Sequence, residues 1–463
     1  MGIKKLNKNN VWLFGCLVSI LALSVWAVFQ PGFMNADAVV IYSQAKNASY
    51  QDWHPPIMAF TLKLFFDLGL GLKELMLIQC QLGYIGLYLS IYQLLRILKV
   101  NASAYTSFWT ILGFTLPFSP FPFYAMGFIK DSWCMIFLLW VIGLSIYLYR
   151  KKSVSENRLK KHVVLISIIF FMVLTILARH NALVLFPIYL IIIYGIGKLN
   201  KMKKASVFLY CFLPILLWGS FNEYAYHVIK VERQYPERQV MSAELIGLLK
   251  LDSTKCSSMT YVGDYLTPNW RDAYQFGEVS AVMPWGWKHS VKFPDFDRDH
   301  PGLEQDYYHS LKTYPFSMLW VKIRSFSHML HPSQYKYWSH LQLDKNQYGL
   351  LQNQTFSGFR KKWINLALKL REPLNILVAD HLFWFVINFL VLLTFWRKKY
   401  LLGESKVFFF FLLLIPFAYY FSYLIAATSW NYRFMYPSTI LIQVTFISLL
   451  IKFIQDKKKT ISS

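Results

Sequence analysis

The chain has 463 residues, of which 56% are hydrophobic, 18% are aromatic and only 16% are charged. Because soluble domains carry about 25% charged residues, this composition excludes an ordinary soluble protein. The formal net charge of +24 would suit a nucleic-acid ligand, but the positions of the charges exclude that class.

The excess of basic residues lies outside the long polar segment 222–378. That segment contains 19 Lys or Arg and 15 Asp or Glu, whereas the rest of the chain contains 29 and 9. The remaining basic residues form short clusters at the ends of apolar runs, as at 150–152 and 397–399. Such clusters are typical of the cytoplasmic loops of membrane proteins.

Ten apolar runs predict membrane-spanning helices. They lie at residues 11–29, 77–97, 105–121, 132–149, 163–178, 183–197, 206–221, 382–396, 407–424 and 434–453. With the N-terminus inside, every basic cluster falls on the cytoplasmic side, so both termini are predicted to be cytoplasmic. We therefore expect an all-α polytopic protein of a plasma membrane, and its few cysteines favour a bacterial one.

The chain divides into three predicted parts. Residues 1–221 form an N-terminal transmembrane module of about seven spans, and residues 379–463 form a C-terminal module of about three. Residues 222–378 are rich in Trp, Tyr, His and Pro and are long enough to bury a small core. Topology places this mixed or all-α domain outside the membrane.

Acidic residues near a bilayer are costly unless they are paired or hydrated, so their positions are informative. Outside 222–378, six of nine acids fall on the predicted outer side, among them Asp37 and Asp52 in the first outer loop and Asp131 at the start of the fourth span. Cationic and hydrogen-bonding residues share that side. They are His54, Lys130, Arg179, His180, Asn181, Tyr432 and Arg433.

Each of these residues has a simpler interpretation when it is taken alone. Asp37 reads as a helix-capping acid, and Asp131 as the partner of Lys130 at a helix N-terminus. The arginines read as side chains that extend towards lipid headgroups. Their coincidence on one side favours an active site, whereas the near absence of charges within the spans disfavours a conduction path.

The arrangement resembles the GT-C class of integral-membrane glycosyltransferases, especially the protein-mannosyltransferase and aminoarabinose-transferase type. The matching features are Asp37 in a long first outer loop, the downstream His54-Pro55-Pro56, Lys130-Asp131 at the fourth span and Arg433 in NYRFMYP. The Asp-Glu pair common in that loop is Asp37-Ala38 here.

The resemblance implies transfer of a sugar from a polyprenyl-phosphate donor to a glycan, lipid or protein acceptor outside the bilayer. Asp37 is then the general base, and Asp131 a second acid that orients the acceptor or a metal. Arg433, with Arg179, holds the lipid phosphate, and the other residues bind substrate. No tight acidic cluster or zinc spacing is present, so we expect no obligatory metal and leave a divalent cation open.

Three alternatives stay open at this stage. A polymerase or ligase of surface polysaccharide also has many spans and a large outer loop, but it depends on arginines more than on a first-loop aspartate. A transporter of lipid-linked oligosaccharide predicts polar residues along the spans. A structural protein that displays the outer domain makes the outer-side acids dispensable.

Overall fold

A computed structural model describes residues 6–150, 158–277, 302–331, 348–397, 406–425 and 432–462. In these ranges the chain is helical, and β-pairing is limited to two isolated parallel bridges, Phe33 with Gly127 and Gln51 with Glu232. The α-helices are α1 (Leu6–Phe29), α2 (Ala36–Asn47), α3 (Ile57–Asp67), α4 (Leu72–Ile97), α5 (Ser103–Thr115), α6 (Phe121–Ala125), α7 (Lys130–Arg150), α8 (Arg158–Ala178), α9 (Phe186–Leu199), α10 (Lys204–Glu223), α11 (Pro236–Leu251), α12 (Thr260–Asp264), α13 (Trp270–Ala273), α14 (Gly302–Thr313), α15 (Pro315–Leu330), α16 (Ser357–Ala379), α17 (His381–Arg397), α18 (Lys406–Ile425) and α19 (Tyr436–Ser462).

Eight helical stretches in the described part are long and apolar enough to cross a membrane, which makes the chain a multi-pass helical membrane protein. They are Asn10–Phe29, Leu72–Ile97, Lys130–Arg150, Leu159–Ala178, His180–Leu199, Lys204–Val228, Phe408–Ile425 and Tyr436–Lys458. These stretches coincide with eight of the ten predicted spans. The other two predicted spans, 105–121 and 382–396, correspond to the shorter helices α5 and α17.

Helix α7 is the centre of the bundle. Its apolar stretch is 83% buried, whereas those of α1 and α10 are only 17% and 11% buried. It packs against α4, α8, α9 and α19. An apolar helix that is buried on all sides has no face left for lipid, so α7 is the axis around which the other spans are arranged.

Helices α4 and α7 run parallel and pack closely. Trp133 donates a hydrogen bond to Gln79 near the start of both helices, and Arg150 donates one to Gln93 near the end of both. Between these contacts, a Cβ added to Gly143 would lie 3.2 Å from the backbone nitrogen of Ser90. The absence of a side chain at Gly143 therefore allows the two backbones to approach each other.

The prediction of a complete helical span at 105–121 is wrong. Helix α5 ends at Thr115 because Leu116, which precedes Pro117, is extended with ψ of 155°. Thirteen helical residues cover about 20 Å, less than the hydrocarbon thickness of about 30 Å. However, parallel helices must be joined by a chain that returns across the bundle, so residues 98–129 make that crossing with α5 followed by a largely buried, mostly non-helical stretch.

A second apolar core lies in the polar segment. Helices α11, α12, α14 and α15 pack around buried side chains that include Leu245, Val262, Met318 and Val321. Helix α16 instead lies against α1, where Trp363 contacts Phe29 with ring centroids 5.3 Å apart. The segment 222–378 therefore contributes both its own core and a helix that packs on the transmembrane bundle.

Candidate functional site

One cavity of about 790 Å³ gathers most of the predicted site residues. It lies where the ends of α8, α10 and α18 meet the starts of α2, α7 and α19, and the N-terminal turn of α11 forms its far wall. Because neighbouring spans alternate in direction, these ends share one side of the bundle. Eight of the ten predicted site residues line it: Asp37, Asp52, His54, Lys130, Arg179, His180, Asn181 and Arg433.

Asp37 faces the cavity and does not cap a helix. The side chain of Asn35 caps α2 instead, because its Oδ1 accepts a hydrogen bond of 2.9 Å from the amide of Ala38. Asp37 lies in the first turn of α2, and its Oδ2 accepts a hydrogen bond of 2.6 Å from Nη2 of Arg433. The side chain of Asp37 remains 27% exposed, so a ligand can reach it.

Arg433 belongs to a 3₁₀ turn, Tyr432–Phe434, directly before α19. Its guanidinium lies over the Phe434 ring at 5.0 Å, and its Nε lies 3.9 Å from Oδ2 of Asp131. Arg433 thus stands between the two aspartates that the sequence marks as catalytic. The side chain of Tyr432, also a predicted site residue, lies outside the described part of the chain.

Asp131 is fully buried and does not line the cavity. Its Oδ1 lies 2.8 Å from Nη1 of Arg179. Arg179 also donates to the hydroxyl of Tyr423 from Nη2 at 2.7 Å, and Tyr423 donates to the carbonyl of Phe434 at 2.9 Å. This chain of contacts fixes the turn that carries Arg433. Asp131 lies behind the cavity wall, and Arg179, which lines the cavity, connects it to that turn.

Lys130 and His54 form a different kind of pair. Nζ of Lys130 lies 3.3 Å from Nδ1 of His54. An ammonium group only donates, so the Nδ1 accepts and the imidazole is neutral. Burial, together with the charge of Lys130, lowers the pKa of His54 to about 3. His54 therefore orients the lysine without neutralising its charge.

Within the described ranges, Lys130 differs from the arginines of the cavity because it has no acidic partner. Arg433 pairs with Asp37, Arg179 with Asp131, and Arg233 with Glu237 at 3.2 Å. Among the described residues, no carboxylate oxygen lies within 4 Å of the Lys130 ammonium. A cation that faces a cavity without a counter-ion is the natural place for an anionic ligand.

The Asp37 carboxylate is held in its charged form. Burial by itself raises the pKa of Asp37, but the positive charges of Arg433 and Lys130 act in the opposite direction. The pKa of Asp37 consequently lies well below its usual range. In the free chain Asp37 is therefore a stable anion and a weak base.

Asp52 joins the first polar loop to residues 232–240, which we call the wall segment. Its Oδ1 accepts a hydrogen bond of 2.6 Å from the amide of Gln234, and its Oδ2 accepts one of 3.1 Å from the hydroxyl of Tyr226. The bridge between Gln51 and Glu232 adds two backbone hydrogen bonds. Both oxygens of Asp52 are thus used by protein donors, and its role is to hold this wall in place.

The two remaining predicted residues begin the 3₁₀ helix His180–Leu185. His180 is exposed towards the cavity, and Asn181 donates a hydrogen bond of 2.9 Å to the hydroxyl of Ser422 on α18. Asn181 therefore links this turn to the helix that carries Tyr423.

Sequence reasoning missed most of the opposite wall. Trp218, Asn222 and Tyr226 recur every fourth residue at the end of α10, which is a helical signal for one face. Tyr226 lies in a π-helical turn, Tyr224–Val228, a feature that often accompanies functional sites. No local pattern marks Glu237 or Gln239 of the wall segment, because their position depends on the distant contacts of Asp52.

The residues that could hold a divalent cation are already neutralised. The described part of the chain contains no group of three metal-ligating side chains. The guanidinium of Arg433 lies between the carboxylates of Asp37 and Asp131, where it provides the positive charge that a bound cation would supply. A metal that bridged these two acids would have to displace it.

By fold, the chain is a polytopic helical membrane protein with a charged cavity at one end of its spans. No protein-family model, curated protein or solved structure matches it.

Proposed function

We propose that the chain is a membrane glycosyltransferase of the GT-C type. It moves a sugar from a polyprenyl-phosphate donor to a glycan, lipid or protein acceptor of the cell envelope. The observation that supports this proposal most is the convergence of Asp37 with Lys130 and Arg433 in one cavity at the ends of the spans. On this proposal the cavity is extracytoplasmic and both termini are cytoplasmic.

The position of the cavity suits a lipid-linked donor. Polyprenyl chains dissolve in the bilayer, so the phosphate that they carry stays near the level at which the helices end. Lys130 lies there at the start of α7, without a carboxylate partner among the described residues. In the proposed complex its ammonium binds the phosphate as a point charge.

The transfer itself requires a base and an anion site. The acceptor hydroxyl oxygen bonds to the anomeric carbon of the sugar, and the bond between that carbon and the phosphate oxygen breaks. The phosphate leaves with the electron pair and is stabilised by Lys130 and Arg433. Asp37 takes the hydroxyl proton, because its carboxylate is the accessible one, whereas Asp131 is fully buried.

The test compares purified wild type with Asp37→Asn in neutral detergent. Both are supplied with a panel of polyprenyl-phosphate sugars and cell-envelope extract, and the release of polyprenyl phosphate is measured. Loss of the base is expected to slow release by about 10²–10⁴-fold. Asp67→Asn is the matched control, since it removes an exposed acid on α3 that does not line the cavity.

Two results would contradict the proposal. Equal release by wild type and Asp37→Asn, at equal yield of folded protein, removes Asp37 from the chemistry. No release from any donor, with both proteins folded and the panel covering neutral, amino and acidic sugars, contradicts the transferase activity itself.

A further inference from the structure

In the free chain, the pairing of Asp37 with Arg433 opposes the proposed chemistry. Arg433 donates to Asp37 at 2.6 Å, so each group neutralises the other. A carboxylate in such a pair is a poor proton acceptor, and a guanidinium in such a pair is a poor phosphate binder. Both groups would need to be separated before either could act in the transfer.

Arg179, the other arginine near Asp131, cannot replace Arg433 as the phosphate ligand. Arg179 is engaged by Asp131 at 2.8 Å and by the Tyr423 hydroxyl at 2.7 Å, and its guanidinium stacks over Phe434 at 4.6 Å. Its three contacts hold it against the protein. Arg433 keeps 15% of its side chain exposed, and its two contacts with acids in the described part of the chain are the 2.6 Å pair with Asp37 and the 3.9 Å approach to Asp131.

We propose that the phosphate of the ligand binds by exchange: it replaces the Asp37 carboxylate as the partner of Arg433, next to the ammonium of Lys130. Asp37 is thereby freed from Arg433, and it can take the proton of the acceptor hydroxyl only when the phosphate is bound. This inference rests on the proposed function for the identity of the ligand as a lipid-linked phosphate ester. The exchange itself requires only Arg433, Asp37 and a phosphate group that enters the cavity.

The exchange has a consequence for the order of binding. A phosphodiester brings one negative charge close to Asp37 and at the same time removes its cationic partner. Both changes favour proton uptake by the carboxylate. The donor must therefore bind before the acceptor hydroxyl can lose its proton, and a chain without donor does not activate the acceptor.

Binding of farnesyl phosphate, measured by calorimetry in dodecyl maltoside, tests the exchange without any turnover. Asp37→Asn removes the competing anion, so it is expected to bind this probe about tenfold more tightly than wild type. Arg433→Gln is expected to bind it about tenfold more weakly. The gain in affinity caused by Asp37→Asn should disappear in the double variant Asp37→Asn/Arg433→Gln, because that variant has no arginine for the substitution at Asp37 to free.

Glu237→Gln is the matched control within the same cavity. It removes one negative charge from the wall segment, where the carboxylate pairs with Arg233 at 3.2 Å. If Asp37→Asn binds more tightly only because the cavity has lost a negative charge, Glu237→Gln will bind equally tightly. The double variant Asp37→Asn/Arg433→Gln will then also bind more tightly than Arg433→Gln alone. Either result overturns the exchange.

The outcomes separate this inference from the proposed function. Equal binding by wild type and Asp37→Asn overturns the exchange but leaves the transferase activity to its own test. The exchange pattern without sugar transfer supports the phosphate site and contradicts the transferase. Inorganic phosphate that binds as tightly as farnesyl phosphate, with the same pattern in the variants, supports the exchange and contradicts a lipid-linked donor.

Discussion

In the sequence, Asp37 can be interpreted either as a helix-capping acid or as a site residue. An acid in the first turn of a helix is favoured by the helix dipole, and this explains many such residues without any function. In this chain Asn35 already caps α2, and Asp37 accepts a hydrogen bond from Arg433 in the cavity. Whether Asp37 is a capping residue or a site residue thus depends on its hydrogen bond with Arg433, which no pattern in the sequence predicts.

The residues Asp37, Lys130 and Arg433 could be predicted because charge at a bilayer is costly. That cost leaves few charged side chains at the span ends, so those present are conspicuous. The pairing among them could not be predicted. The resemblance gives Arg179 to the lipid phosphate together with Arg433, and its contacts with Asp131 and Tyr423 follow from no pattern in the sequence.

His54 predicts a dependence of stability on pH. The folded chain keeps His54 neutral down to about pH 3, whereas the unfolded chain protonates it near 6.5. The stability that depends on neutral His54 is complete above pH 6.5 and is lost as pH falls towards 3. Between pH 7.5 and 5 this group should lower the free energy of unfolding by about 2 kcal/mol.

Thermal unfolding of wild type and His54→Gln in detergent at pH 7.5 and 5 measures this contribution. The amide oxygen of glutamine can still accept from Lys130 but does not titrate. The variant should therefore lose less stability on acidification. His227→Gln, at a side chain that is 76% exposed, should behave like wild type. An identical pH response of His54→Gln and wild type would contradict the assignment.

At the scale of elements, the sequence predicted helix positions well where apolar runs were long and uninterrupted. It failed at α5, where Pro117 and Pro120 follow an apolar run that hydropathy alone extends to residue 121. Hydropathy measures how easily a segment enters lipid, whereas helix length depends on backbone hydrogen bonding, which proline interrupts. The two quantities diverge where non-helical backbone is buried by neighbouring helices.

The close contact between α4 and α7 predicts that one methyl group added at Gly143 will lower the stability of the folded chain. In Gly143→Ala the new Cβ would lie 2.8 Å from Leu89 and 3.2 Å from the Ser90 backbone, and the backbone cannot move aside easily. Such overpacking costs about 1–3 kcal/mol. The melting temperature in detergent should fall.

Gly219→Ala is the matched control for this substitution. It places the same methyl group in α10, where nothing lies within 4 Å of the added Cβ. Alanine is the better helix former, so the melting temperature should stay unchanged or rise slightly. Equal effects of the two substitutions would show that the approach of α4 and α7 does not depend on Gly143.

At the scale of the whole molecule, α15 connects the two apolar cores through apolar packing, as where Phe326 stacks on Phe421 of α18 at 6.0 Å, and through polar contacts. Lys322 of α15 pairs with the buried Glu244 of α11 and also donates to the carbonyl of Ile425 at 3.2 Å, at the end of α18. Asp52 makes the corresponding contact with the wall segment on the other side of the cavity. The second core thus encloses the cavity through contacts between residues far apart in sequence.

Asp52→Ala tests whether this enclosure depends on one carboxylate. The substitution leaves the amide of Gln234 and the hydroxyl of Tyr226 without their acceptor. Hydrogen bonds to a charged group contribute about 1.5–3 kcal/mol each, so the wall segment should open at least about tenfold more often. Limited trypsin digestion should then cut faster after Arg233.

The control for Asp52→Ala is Asp67→Ala, which removes an exposed acid from α3. Its rate of cleavage after Arg233 should equal that of wild type. Equal cleavage of all three proteins would contradict the role of Asp52, while faster cleavage at every site in Asp52→Ala would indicate general unfolding instead of local opening.

The crossing made by residues 98–129 also bears on how the chain enters a membrane during synthesis. A helix of 13 residues followed by proline-rich backbone offers the insertion machinery a weak signal. In the folded chain this stretch packs against α7 and against later helices, since Phe123 lies 5.0 Å from the Trp363 ring of α16 and Tyr124 stacks on Tyr436 of α19 at 4.1 Å. A nascent chain that ends before α7 lacks these contacts. We therefore expect the third crossing to become stable in the bilayer only after α7, α16 and α19 have been synthesised.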